Sequence, residues 1–207
     1  GFKGGIGSAS RRVDRYVLGA LVVANFGRRE ELLIHGVPVG LRLARYPEPP
    51  EAPPTDPEPP DAGSTDPGPP DRPPEASPDE PPPGSVVIVL ATDAPLDARQ
   101  LTRLARRGAL GLARVGGSAA NGSGDFVLAF STANRTAHRT DYPLRAVTLL
   151  RDDSAAMNDL FRAAVEVVEE AVINALFTAR TVTGRDGHVA HELPVERVLS
   201  WLNGSDQ

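Results

Sequence analysis

Residues 46–84 hold 17 of the 21 prolines in this 207-residue chain. Proline fixes φ and lacks a backbone N–H, so neither a helix nor a central strand can run through such a stretch. The tract has no apolar pattern, and it buries too little surface to offset its ordering entropy. It is therefore expected to stay extended and mobile, a tether between two packed pieces at residues 1–45 and 85–207. Its end is abrupt. "PPPGSVVIVLATDAPL" (81–96) passes from prolines through Gly84-Ser85 directly into an apolar run.

Charge follows the same division. Ten acids against Arg72 give residues 47–84 a net −9, so a whole-chain charge of −5 leaves +4 for the rest. That weakly basic remainder falls short of a nucleic-acid footprint, and no nucleic-acid partner is expected. No apolar run approaches the roughly 20 residues of a membrane span, so no membrane partner is expected either. The absence of cysteine excludes disulfides and thiolate metal sites. The opening "GFKGGIGSASRR" has neither Met nor the apolar core of a signal peptide. The expectation is a chain that begins inside a longer, cytoplasmic protein.

In the first piece, "GGIGSAS" reads as a loop and "RYVLGALVVANFG" as a buried strand ending near Asn25. "ELLIHGVPVG" reads as a second strand with a turn at His35-Gly36. No helix is expected before the tract. In the second piece, residues 85–91 read as a buried strand and 95–115 as a helix. The helix has Leu101, Leu104, Ala105, Ala109 and Leu112 on one face and arginines at 99, 103, 106 and 107 on a solvated one. "DFVLAFS" (125–131) and "LRAVTLL" (144–150) read as strands. Residues 154–179 form the longest helix, capped by Asp152, Asp153 or Ser154, with a stripe of Met157, Leu160, Phe161, Ala164, Val168, Val172, Ala175 and Leu176. "PVERVLSWL" is a short closing helix. Apolar strands between amphipathic helices indicate a layered α/β sandwich.

A serine at the first position of a chain lies beside its own α-amino group, which titrates at roughly 7.7–8.0 in peptides. The neutral amine can serve as general base for the hydroxyl. Before cleavage that amine is locked in the Gly84–Ser85 amide. The hydroxyl can instead attack the Gly84 carbonyl, and the resulting ester hydrolyses. Glycine leaves that carbonyl unhindered. Gly-Ser pairs are also common at loop-to-strand junctions, and on the dipeptide alone that plain reading is strongly favoured.

The wider sequence changes that balance. "GSVVIVLATD" (84–93), "RLARRGALGLARVG" (103–116), "NGSGDFVLAFSTANR" (121–135), "AVEVVEEAVINALFTA" (164–179) and "TVTGRDGHVAHELP" (181–194) resemble the β-chain of the DmpA-type aminopeptidases. That family includes L-aminopeptidase/D-esterase-amidases and β-peptidyl aminopeptidases. "FKGGIGSASR" (2–11) and "LVVANFGRREELLIHGVPVG" (21–40) resemble the end of its α-chain. The resemblance implies a four-layer αββα sandwich, shared with the ornithine-acetyltransferase group, whose N-terminal part this chain lacks. It divides the chain into an α-chain end (1–45), an α-chain tail (46–84) and a β-chain (85–207).

It also implies self-cleavage between Gly84 and Ser85, with Ser85 as nucleophile. Ser123 and Asp125 match positions that contact and orient the nucleophile and its amine. Asn25 matches a side chain that donates to the oxyanion. On local sequence alone, Ser123 and Asn25 are ordinary turn residues and Asp125 a strand-edge or capping acid. The implied substrates are short peptides, amides or esters, with no cofactor, in a homo-oligomer of α/β pairs. A tyrosine that the family supplies from upstream has no counterpart here. Two other readings stand beside this one: an acyltransferase of the ornithine-acetyltransferase kind, against which Ser85 speaks because that group uses Thr, and an inactive fragment or interaction module. His188 and His191 lack a third ligand and read as solvent-facing. "GFKGGIGS" lacks the order of a phosphate-binding loop.

Overall fold

The computed structural model describes residues 1–45, 84–135, 138 and 143–204. The proline tract up to residue 83, with the expectation attached to it, lies outside the described residues. The chain runs β1 (Ile6–Val13), β2 (Tyr16–Asn25), α1 (Val39–Ala44), β3 (Ser85–Thr92), α2 (Ala98–Arg114), β4 (Phe126–Ser131), α3 (Ala155–Thr178), β5 (Val182–Thr183), β6 (Val189–Ala190) and α4 (Val195–Leu202). The first four strands form one sheet in the order β1-β2-β3-β4, and β5 pairs with β6 as a separate hairpin.

The strands alternate cleanly. Leu18, Ala20, Val22 and Ala24 of β2 and Val86, Ile88 and Leu90 of β3 are buried, while Leu21, Val23 and Val87 are not. Side chains of a strand point to opposite faces in turn, so one sheet face packs and the other stays open. The packed face is covered by α3, which lies across β1 and β2, and by α2, which runs along β4 and against α3. Leu104, Met157, Leu160, Ala164, Val167 and Val168 come from these helices into the core. Full burial of each large apolar side chain contributes about 1.5–3 kcal/mol before ordering entropy is subtracted. The described residues thus build a layer of helices on one face of a four-stranded sheet.

Both long helices begin on side-chain caps. Asp97 accepts from the Gln100 N–H (2.7 Å) while Gln100 Oε1 accepts from the Asp97 N–H (3.1 Å), a reciprocal capping box. Pro95 therefore lies ahead of α2 and not within it. Ser154 caps α3 by accepting from the Met157 N–H. Asp152 has a different task from capping. It accepts from Arg99 (2.6 Å), Gln100 Nε2 (2.8 Å) and Arg103 (3.2 Å), tying the start of α3 to α2. Two arginines expected on a solvated face are thus engaged, and Arg103 and Arg107 also stack over the Phe161 ring.

Four further expectations are corrected. "GGIGSAS" is not wholly a loop: Ile6 onward is β1, paired antiparallel with β2 from Ile6↔Val23 to Val13↔Tyr16. Small polar residues have weak strand propensity, but an edge position beside β2 and under α3 suffices. Residues 32–40 form an isolated bridge, Ile34↔Val37, around His35-Gly36 and then enter α1, a helix too short to show a period. Residues 144–150 form no strand. Leu144, Val147 and Leu149 are exposed, and Leu150 donates its N–H to the Pro95 carbonyl. Ala109, placed on the apolar stripe of α2, is exposed, and Gly108 and Gly111 take the buried positions.

Candidate active site

The open sheet face carries the residues singled out above. β2 and β3 pair antiparallel from Leu18↔Thr92 to Asn25↔Ser85. The last residue of β2 therefore faces the first residue of β3, with Cα atoms about 4.5–5.5 Å apart in such a pair. Burial of Val86, Ile88 and Leu90 beneath the sheet turns Ser85 to the opposite, exposed side, and burial of Ala24 does the same for Asn25. Sixty residues of sequence separation become one cross-strand pair.

β3 and β4 pair in parallel, Val87 beside Phe126, so the loop entering β4 arrives at the level of Ser85. That loop is "NGSGD". The Ser123 N–H donates to the Ala120 carbonyl (2.8 Å), closing a turn, and the Ser123 hydroxyl donates to Asp125 Oδ1 (2.7 Å). A hydroxyl bound to an ionised carboxylate is held more firmly than in a neutral pair. Gly124, between them, lies against the nucleophile candidate. A Cβ built there would stand 3.0 Å from Ser85 Oγ. The Gly124 N–H points at the Gly84 carbonyl oxygen, 3.4 Å away. Asn25, Gly84, Ser85, Ser123 and Asp125, expected from sequence, are thus all brought together at one corner of the sheet.

A cleft of about 210 Å³ opens beside them, lined by Phe26, Arg28, Glu31, Leu112, Ser123 and Asp125, with Gly84 in its wall. Phe26, Arg28 and Glu31 carry no local signal of a site; they reach it because the turn after β2 folds over the loop before β4. Glu31 accepts a long hydrogen bond from the Ser118 hydroxyl (3.4 Å). Gly124 is also absent from the residues expected to act, since a backbone N–H leaves no mark in sequence beyond the glycine. A larger cavity, about 1200 Å³, lies by α4 and includes His191 but none of the residues at this corner. Among the described residues no cluster of three or more His, Asp or Glu is placed to hold a metal ion.

The model of Peptidase family S58 matches residues 1–190. Beta-peptidyl aminopeptidase BapA of Sphingosinicella microcystinivorans is 40% identical over 199 residues, which cover 94% of this chain and 46% of that protein. Among solved structures, the PH0078 protein of Pyrococcus horikoshii OT3 has a TM-score of 0.76 at 43% identity, covering 99% of this chain and 48% of that one. The L-aminopeptidase D-Ala-esterase/amidase of Ochrobactrum anthropi, described as a prototype serine aminopeptidase and a variant Ntn hydrolase fold, has a TM-score of 0.74 at 33% identity, covering 99% and 49%. The chain spans about half the length of the curated relatives it matches (46%). The α/β arrangement of sheet and helices is that of the Ntn-hydrolase aminopeptidases. A family match along nearly the whole chain, on a sheet that gathers a strand-leading serine with its polar neighbours, makes this chain a member of peptidase family S58.

Proposed function

We propose that the complete protein is a self-processing serine aminopeptidase of the N-terminal-nucleophile kind. One observation carries the reading: Ser85 opens β3 directly opposite Asn25, with Gly124 of the Ser123–Asp125 loop against its hydroxyl. Cleavage of Gly84–Ser85 frees the Ser85 α-amine, which then takes the hydroxyl proton as Ser85 attacks a substrate carbonyl. Ser123, held by Asp125, passes protons between that amine and the leaving group, and the carboxylate favours the charged amine that forms. The Asn25 amide donates to the developing oxyanion, a contribution of about 2.7–4 kcal/mol in comparable hydrolases. Residues 1–45 then belong to an α-chain ending in the proline tract, and residues 85–207 to a β-chain.

The substrates are short peptides, amides or esters that lose their N-terminal residue, and the working form is a cytoplasmic homo-oligomer of α/β pairs. The relatives from Sphingosinicella microcystinivorans and Ochrobactrum anthropi are named as aminopeptidases, which supports the peptide class. The test is intact mass and aminopeptidase turnover of the complete protein, wild type against Ser85→Ala. Two pieces and turnover in the wild type, with one uncut and inactive chain in the variant, are expected. Cleavage persisting in purified Ser85→Ala would overturn self-processing.

A further inference from the structure

We propose that the Gly124 backbone N–H is the oxyanion donor for the chain's own cleavage, and that Gly84 and Gly124 are glycines so that this contact can form. The inference rests on Ser85 being the nucleophile. In the uncut chain the Gly124 N–H already points at the Gly84 carbonyl oxygen at 3.4 Å. That is long for an N–H···O bond, which prefers about 2.9–3.0 Å. As Ser85 Oγ adds to the Gly84 carbon, the C=O bond lengthens toward a single bond and its oxygen becomes an anion. A donor loosely seated in the ground state then gains most in the transition state, which is the condition for catalysis.

The step balances without any further reagent except water. The Oγ–C bond forms, the C–N bond of Gly84–Ser85 breaks, and the hydroxyl proton passes to the departing amine. Water then cleaves the ester, leaving a Gly84 carboxylate and a free Ser85 hydroxyl. Three groups must touch for this: the attacking oxygen, the attacked carbonyl and the donor. The backbone makes room for them at two places. A Cβ on Gly124 would stand 3.0 Å from Ser85 Oγ. A Cβ on Gly84 would stand 2.9 Å from Phe26 Cα and 3.1 Å from the Asn25 carbonyl oxygen, backbone atoms that cannot swing aside. Either side chain separates the carbonyl from its donor or the hydroxyl from its target.

Cell-free synthesis of the complete protein with glycolic acid at position 124, delivered on a suppressor tRNA, replaces that one N–H by an ester oxygen. Glycine delivered on the same tRNA is the control, melting temperature checks folding, and intact mass follows cleavage with time. We expect cleavage about 10²–10³ slower than the control, the loss seen when one oxyanion donor is removed elsewhere. Gly84→Ala, which leaves the 120–125 loop untouched, is the second arm and is expected to slow cleavage by about 10², the scale of an ångström-sized misplacement. Control-rate cleavage in either folded variant, while Ser85→Ala stays uncut, overturns the Gly124 role and leaves Ser85 as nucleophile. Cleavage in Ser85→Ala overturns both.

Discussion

The outward face of the sheet exposes large apolar side chains, among them Ile6 (66%), Leu21 (45%), Val23 (45%), Val87 (44%), Phe126 (69%), Leu128 (61%) and Phe130 (43%). They come from four adjacent strands, so the patch is continuous. About half of each side chain lies in water, and full burial is worth about 1.5–3 kcal/mol apiece. Covering the face would therefore recover roughly 5–10 kcal/mol, comparable with the whole stability of a typical domain. A face of that value does not stay wet at working concentration. The isolated 207-residue chain should self-associate in light scattering and bind a hydrophobic dye. Phe126→Glu with Leu128→Glu should suppress both, because these edge-strand residues are among the most exposed of the patch. In the complete protein the same pair should instead lower the melting temperature, since a carboxylate buried without a partner is costly. A monodisperse, dye-free 207-residue wild-type chain would refute the reasoning.

Three other expectations are independent of that face. If Asp125 acts as proposed, Asp125→Asn should lower kcat more than it raises KM in correctly cleaved protein, by about 10²–10⁴ in turnover, since that role is in proton transfer; unchanged kcat would return Asp125 to a structural role. Asp152 is held below the usual carboxylate range, first by the Gln100 hydrogen bond and then by Arg99. A depressed folded value stabilises above the unfolded carboxylate pKa of about 3.9 and is lost as pH falls through the lower folded value. The melting-temperature advantage of wild type over Asp152→Asn should therefore hold near neutrality and vanish in strong acid, and an advantage independent of pH would exclude the charge as its source. Deleting residues 48–80 should leave the thermal transition of the complete protein in place, because loop-closure cost grows slowly with length; a collapsed transition would show that the tract packs.

Much of the fold was legible because apolar period and capping act locally. The apolar runs in "RYVLGALVVAN" and "SVVIVLAT" marked two strands, though not which face of each is buried, and the stripe from Met157 to Leu176 set α3 almost to its ends. Local pattern failed where pairing or contact decides. β1 is a strand because β2 offers it a ladder, while the apolar run at 144–150 has the pattern but no strand assignment. Asp152 looked like a cap, and only the position of α2 reveals its three donors.

The candidate site divides along the same line. By itself the sequence determined that a serine follows a proline tract at the head of an apolar strand, and that "NGSGD" offers a hydroxyl and a carboxylate two residues apart. Resemblance, not local chemistry, singled out Asn25. Only the tertiary structure decided that Asn25 and Ser85 are cross-strand partners, and that the Gly124 N–H meets the Gly84 carbonyl. Register between distant strands depends on which faces are buried together, and a backbone donor is identical in every residue but proline. Neither can be read along a chain; both appear only when the strands are laid side by side.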